Sequence, residues 1–557
     1  MQMEKYMSGA KTTIMSLALI VSSLVVGTSC SDSDDLGTTD YSWNISGNKV
    51  VNIKPERYKF LRNPLQGWNI YTGIGSGMMD NFWDIYDNFE SSVGPVKVSD
   101  YGTTCYIRGA WSDFNPEEGV YIWQDGVDTE PARRFRMLVN GAKERNLKLA
   151  FTFVVDSRDK HYNFTPNYVK EAGCKGYVTT TGSVQVWSPY PDDPIFQEKY
   201  AKFLKDFAAK YNDPDVTNYV SGFGLGKWGE THSLKYWAVD TPNESEKRTE
   251  KEVKYDVFEW ITDLMSQTFT KVPVFINYHR CLLSSKEFDG APVDDSAELI
   301  ERAVKKGFGL RHDAFGMKQY YKDWERGIAT TYRYQCPFIM EGGWVESSHG
   351  GSIKGDGYAN YKEVRKGEFD EAKGANVNMM DFRFNNNPQA GETHSWFNAA
   401  YNLVEEFIAE GGYRLYPDKL SVPENASAGA KVTLTHRWSN LGWGYCPTNL
   451  PQWNQKYKVA FALLDKNTEK PVKVYVDALP KVSDWVKGKP HTYSTEITLE
   501  GVTSGQYTWA VGIVDTAKDN NIGIYISARD EYQTADGWVK LSDVTTPVRD
   551  KIAISCM

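Results

Sequence analysis

The feature that most restricts this chain is an alternation. From residue 60 to 412, eight apolar runs are separated by eight segments of helical periodicity. The runs span 67–72, 104–110, 147–155, 219–226, 272–278, 307–312, 337–340 and 377–384. The helical patterns span 80–89, 130–145, 193–211, 255–269, 296–306, 320–332, 361–373 and 395–410. In the third, DPIFQEKYAKFLKDFAAKY, apolar residues recur three and four apart, which gives a helix one buried face. Eight strands alternating with eight helices predict a closed parallel (β/α)8 barrel, an α/β fold. An open doubly wound sheet would have fewer units and a glycine-rich phosphate turn after its first strand, and no such turn is present. After Tyr416 the period changes to two, in KVTLTHRWSN, YKVAFALLD, KVYVDAL, TYSTEITLEG and YTWAVGIVD. Short alternating strands between turn residues predict an antiparallel β-sandwich of immunoglobulin-like type, packed firmly on the barrel because no long linker intervenes. The expected division is a leader at 1–30, a tether and lead-in at 31–59, the barrel at 60–414 and the sandwich at 415–557.

The leader bears on location. Lys5 and Lys11 precede an apolar run, 13–26, that is too short for a stable bilayer span but suits a signal-peptide core. Gly27-Thr28-Ser29-Cys30 resembles a lipobox, which implies lipidation at Cys30. The following Ser31-Asp32-Ser33-Asp34-Asp35 resembles the acidic tag that sends Bacteroidota lipoproteins to the outer face of the outer membrane. The body, with no later span, would then touch the membrane through its lipid alone. The net charge of −9 is spread along the chain, and no basic stripe offers a path to a nucleic-acid backbone. Cys105, Cys174, Cys281, Cys336, Cys446 and Cys556 are irregularly spaced, so no disulfide pairing is legible; Cys105 and Cys336 fall in apolar runs, as buried thiols do. No His-x-x-x-His or related spacing supports a metal site, and no cofactor motif appears.

In a (β/α)8 fold, chemistry gathers at the C-terminal ends of the strands. Two acids stand there beside glycine and tryptophan: Glu230, after YVSGFGLGKWGETHS begins, and Glu341, at the tip of CPFIMEGGW. Glycosidic cleavage needs one carboxylic acid to protonate the leaving oxygen and one carboxylate to attack the anomeric carbon or activate water. Strands four and seven face each other across a barrel mouth. The arrangement resembles the clan A retaining glycoside hydrolases, whose acid/base follows strand four and whose nucleophile follows strand seven. IRGAWSDFNPEEGVYIW resembles their second-strand segment, implying that Arg108 supports the nucleophile, and KLAFTFVVDS resembles the third strand, ending at Asp156. Gly229 stands where those families place Asn before the acid/base, and strand eight lacks the tryptophan many of them carry. GLGKWGE also resembles the acid segment of β-amylases, which invert configuration. The whole chain, RWSNLGWGYCPTNLP included, resembles a group of Bacteroidota surface lipoproteins of barrel-plus-sandwich layout.

Further strand-end groups are expected around a bound sugar. Asn277 and His279 alternate toward one side of strand five, with Tyr278 and Arg280 on the other; Arg311, His312 and Asp313 close strand six, and Asp381, Arg383 and Asn385 alternate along strand eight. Trp68, Trp111, Trp228 and Trp344 sit at strand ends, and about half of such flat rings would stack on substrate. The leading expectation is a retaining glycosidase acting on a poly- or oligosaccharide, with Glu230 as acid/base and Glu341 as nucleophile. Inversion by the same acid and a non-catalytic glycan-binding lipoprotein remain open, as do sugar, linkage and oligomeric state; a binder, however, has no need of two opposed carboxylates.

Overall fold

The computed structural model describes residues 43–75, 80–287, 290–343, 356–383 and 392–547. Cys30, Trp344, Asn385 and Cys556 lie outside them. The strands, in chain order, begin with β1 (Asn48–Asn52), β2 (Gly67–Gly73), β3 (Gly102–Ala110) and β4 (Lys148–Val154). A hairpin follows, β5 (Gly176–Thr181) and β6 (Val184–Pro189). Then come β7 (Thr217–Ser221), β8 (Val274–Asn277), β9 (Gly309–Phe315), β10 (Phe338–Gly342) and β11 (Met379–Arg383). The eight strands β2, β3, β4, β7, β8, β9, β10 and β11 close into one barrel, and every pairing in it is parallel. Each grows from one of the eight apolar runs. The fourth run overreaches, because β7 stops at Ser221, before the glycines that follow it.

Strand alternation sorts the barrel residues. Alternate side chains along a strand point to opposite faces, and here Tyr71, Tyr106, Tyr219 and Phe275 form a chain of ring contacts at 4.8, 6.0 and 5.3 Å inside the barrel. Counting in twos from these positions, and from Gly309, Ile339 and Met379 on the strands beside them, gives Arg108, Asn277, Arg311, Asp313, Glu341, Asp381 and Arg383 toward the open end. Residues of the other parity face the helices: Trp68 stacks on Phe382 at 4.2 Å and meets Trp396 and Phe407 edge-on. The helix Pro194–Tyr211 shows why the outer layer forms. Asp193 accepts from the backbone N–H groups of Ile195 and Phe196, Pro194 opens the first turn, and Phe196, Tyr200, Phe203, Leu204, Phe207 and Tyr211 face inward. The helix Glu250–Thr268 starts before the expected 255 because Thr249 and Glu252 form a reciprocal capping box. The last expected helix is two, Glu392–Ala399 and Tyr401–Glu410, broken at Ala400.

Beyond the barrel lie β12 (Leu415–Pro423), β13 (Lys431–Asn440), β14 (Tyr457–Asp465), β15 (Pro471–Asp477), β16 (His491–Thr498), β17 (Gly505–Asp515), β18 (Asn521–Ile524) and β19 (Val539–Thr546). They make two antiparallel sheets, β1-β12-β13-β16 and β15-β14-β17-β18, with β19 also pairing β17. Part of the expected tether therefore belongs to the sandwich: β1 pairs β12 from Asn48↔Pro423 to Asn52↔Lys419. Leu434 and Trp438 of one sheet share a core with Phe461, Trp509 and Ile513 of the other. That core runs without a break into the barrel floor, where Tyr106, Ala150, Tyr219, Phe275, Ile339 and Met379 join it. Polar ties close the joint. Arg414, nearly inaccessible, donates to the carbonyls of Glu56 and Lys59, and the Trp443 indole N–H donates to the Val377 carbonyl at 2.8 Å. The sandwich thus plugs the end of the barrel opposite the strand tips. Cys105, Cys174, Cys281, Cys336 and Cys446 are buried as thiols.

Candidate active site

The strand tips enclose a cavity of about 560 Å³, within the usual range for small-molecule sites. Glu230, Glu341, Arg108, Asp313, Arg383 and Trp228 all line it.

The segment that delivers Glu230 is built from left-handed backbone. Gly222, Gly224, Gly226 and Gly229 have φ of +71°, +77°, +78° and +78°, and Trp228, Thr231 and Ser233 share that region at +60°, +61° and +56°. Such a run folds the chain back on itself, and Gly is the residue that adopts these angles freely. Close packing adds a second reason: a Cβ on Gly224 would lie 2.5 Å from the Tyr200 hydroxyl and 2.7 Å from the Phe153 carbonyl oxygen. Gly229, the departure from the clan A pattern, sits against Val154 and the Phe153 carbonyl, at 3.3 and 3.4 Å from an added Cβ. The fold is pinned by Thr231, whose hydroxyl donates to the Asn277 carbonyl at 2.9 Å.

Glu341 is delivered differently. β10 runs straight into it, and opposite it β9 carries an extra residue between His312 and Phe315, where the pairing register shifts. A bulge of this kind re-aims side chains at a barrel rim. Gly342 lacks a side chain because a Cβ there would lie 2.4 Å from a carboxylate oxygen of Glu368.

Arg108 links the two acids. Its guanidinium donates to the Tyr71 hydroxyl at 3.1 Å, to the Trp228 carbonyl and to Glu230 Oε1 at 3.2 Å, and stands 3.8 Å from Glu341 Oε1. The carboxyls then diverge. Burial, then the charge of Asp313, pushes the Glu230 carboxyl above its ordinary range, with Arg108 opposing. The neighbouring His232 stands 3.7 Å from Glu230 Oε2 and is itself held down to about 3 by burial, so it is a neutral imidazole. Glu341, by contrast, is paired with Arg311 on one oxygen and with Arg383 on the other. Three guanidiniums around one carboxylate favour its charged form. Asp313 accepts from Arg311 Nε at 2.6 Å and from Asn277 at 2.8 Å. Burial alone would raise Asp313, but Arg311 and then Arg108 hold it below the usual carboxylate range.

Not every expected residue reaches the cavity. Trp111 is buried beneath it, 5.1 Å from Tyr200 and 5.7 Å from Phe203, with its indole N–H donating to Asn115. Trp68 is likewise core. Asp156 turns away past the end of β4 to pair with Arg158 and accept from Tyr177 at 2.8 Å. His312 has the outer parity of β9 and packs on Tyr278 and Tyr321 at 4.9 and 5.0 Å. His279 is wedged between His232 and His312 at 5.4 and 4.7 Å. Asn277 touches Asp313 from behind. Residues that sequence reasoning passed over include Tyr71, Asp113, Lys160, Tyr162, Phe164, Met317 and Tyr320, all on the wall. Tyr71 was accessible by lumen parity on β2; Asp113 sits in the short helix Trp111–Phe114 and the others on loops, where no periodicity points inward.

No protein-family model matches the chain, and no curated protein does. Among solved structures it is similar to endo-glycoceramidase II from Rhodococcus sp. in a lactosyl-enzyme form, at 12% identity and TM-score 0.36, over 78% of this chain and 99% of that one. It is also similar to an endo-1,4-β-D-mannanase from Thermotoga petrophila, at 12% and 0.37, over 62% and 99%. An exo-β-1,4-mannosidase from an Opitutaceae bacterium matches at 10% and 0.32, over 64% of this chain and 62% of that one.

Proposed function

We propose that this chain hydrolyses glycosidic bonds of a poly- or oligosaccharide by a retaining mechanism, with Glu230 as acid/base and Glu341 as nucleophile. The observation that carries the reading is the opposite electrostatic setting of two carboxyls sharing one guanidinium. Burial and Asp313 favour a proton on Glu230, while Arg311, Arg383 and Arg108 favour a charge on Glu341. Pairs of acids pushed apart in this way divide the roles of donor and nucleophile. In the first step a Glu341 oxygen bonds to the anomeric carbon, the bond from that carbon to the leaving oxygen breaks, and the Glu230 proton passes to that oxygen. In the second, water gives a proton to Glu230 as its oxygen attacks the anomeric carbon, and Glu341 leaves as carboxylate. Trp228, half-exposed on the wall, offers a flat face for a sugar ring.

The test is the full chain on a panel of polysaccharides with product analysis, beside Glu230→Gln and Glu341→Gln. Hydrolysis by the wild type and its loss by several orders of magnitude in both variants is expected, with glycan binding kept. Wild-type activity in either variant contradicts the assignment. We further propose, on the lipobox-like Gly27-Thr28-Ser29-Cys30, that a lipid on Cys30 anchors the protein at the outer membrane; Cys30→Ser should move it to the soluble fraction, and unchanged fractionation would remove that part.

A further inference from the structure

We propose that the cavity takes a sugar carrying an anionic substituent, a carboxylate or a sulfate, recognised by Lys160 on the Glu230 side of the site; this rests on the glycan-cleaving reading above.

Lys160 lines the cavity together with Glu230, Trp228, Tyr162 and Phe164. The acids that act on its charge are Glu230, then Asp159 and Asp156, and each has another cation beside it: Arg108 at 3.2 Å, Lys227 at 3.1 Å, and Arg158. Among the described residues no carboxylate lies in ion-pair range of the Lys160 ammonium. Its aromatic neighbour, Phe164, has its ring centroid 5.5 Å away, a weak contact for a cation. Burial, and then the charge of Arg108, lowers the amine below its ordinary value, as befits a cation placed in a half-enclosed site without a counterion.

The pairing of the wall's charges points the same way. Arg108, Lys160 and Arg383 are on the wall and Arg311 is just behind it, facing Asp113, Asp313, Glu341 and Glu230. Among the described residues the wall carries three cations and, with Glu230 holding the proton its role requires, three anions; Arg108 and Arg383 stand against Glu341, whereas Lys160 pairs with none. A hydroxyl would solvate the ammonium, but a charged acceptor forms a hydrogen bond roughly twice as strong. An anionic substituent on the substrate would supply the missing counterion.

The experiment measures binding to the full chain carrying Glu230→Gln, which keeps the neutral shape of the protonated acid and stops turnover. Probes are oligomers of galacturonate, glucuronate and mannuronate with their methyl esters, and oligomers of a sulfated galactan with their desulfated forms. At least one charged probe should bind about tenfold or more tightly than its neutral counterpart. Lys160→Gln added to this background should erase the difference, and Lys160→Arg should keep most of it. The uronate and sulfate arms distinguish the two sources of charge. Equal binding of charged and neutral forms, or a preference indifferent to Lys160→Gln, overturns the inference. Wild-type protein that cleaves only neutral glycans overturns it too, while leaving the hydrolase reading intact. A Lys160-dependent preference without any cleavage by wild type supports it and sinks the hydrolase reading. Binding of no probe counts against both.

Discussion

Changing Gly224 to Ala tests whether the left-handed coil after β7 is what delivers Glu230. Its φ of +77° costs an alanine about 1–2 kcal/mol. The new Cβ would also fall 2.5 Å from the Tyr200 hydroxyl and 2.7 Å from the Phe153 carbonyl. The second atom is backbone in the middle of the barrel wall, so relief must come from the coil, at about 1–3 kcal/mol for overpacking. The Tyr200 hydroxyl donates to the Phe223 carbonyl at 2.9 Å, and displacing it forfeits about 1 kcal/mol more. The control is Gly119→Ala: φ is +78°, nearly the same, but nothing lies within 4 Å of its Cβ. Urea unfolding followed by tryptophan fluorescence should show a loss of about 3–6 kcal/mol for Gly224→Ala and about 1–2 for Gly119→Ala. Turnover should fall roughly 100-fold in the first alone, because a shift near 1 Å at Glu230 misplaces the acid. Equal unfolding losses, or full activity in Gly224→Ala, would refute this account of the coil.

Removal of Trp111 should behave as a core change: Trp111→Ala is expected to cost about 3–5 kcal/mol, and Trp111→Phe should retain glycan affinity, measured by calorimetry beside a melt. Trp228→Ala should do the reverse, weakening binding with little change in melting temperature. Activity should fall as pH rises through the raised Glu230 value, since only the protonated acid serves the first step; Arg108→Gln removes the charge that opposes that rise, so the alkaline limb of kcat/KM should move to higher pH. Buried Glu368 is pushed up to about 7 by burial, with Arg365 opposing. Its native form holds a proton that the unfolded form releases near 4.5, so stability should decline as pH rises through that window and level off above about 7. Glu368→Gln should flatten this decline in urea titrations across pH.

The barrel was legible because its strands are buried on both faces and read as apolar runs, and its helices show one buried face. What escaped was local chemistry that overrides periodicity. The Thr249–Glu252 capping box extends one helix by a turn. The β5–β6 hairpin, YVTTTGSVQVW, turns at Gly182 and is too polar and too exposed to stand out among eight more apolar strands. β1 lies in a polar lead-in whose value is its pairing to β12, a partner 370 residues away. At the site, both carboxylates, Asp313 and Arg383 followed from strand ends and alternation, and Arg108 from the resemblance of its segment to a second barrel strand. The histidines misled because a strand end says nothing about what the adjacent loop covers. His279 and His312 are roofed by residues after Glu230 and by Tyr321. Trp111 follows lumen residue Ala110, but a short helix starts there and swings its ring under the rim. Lys160 lies in a loop where only the folded chain shows the direction of a side chain.

The central claim is that Glu341 forms the glycosyl intermediate and Glu230 serves both steps. It is tested most directly in Glu230→Ala, given an aryl glycoside of whichever sugar the wild type cleaves, with azide added. A good leaving group needs little protonation, so the intermediate should still form. Without its base the second step should be slow, and azide should accelerate it by attacking the anomeric carbon. NMR of the product should show a glycosyl azide with the anomeric configuration of the substrate. An azide of inverted configuration, or no acceleration at all, would contradict the account.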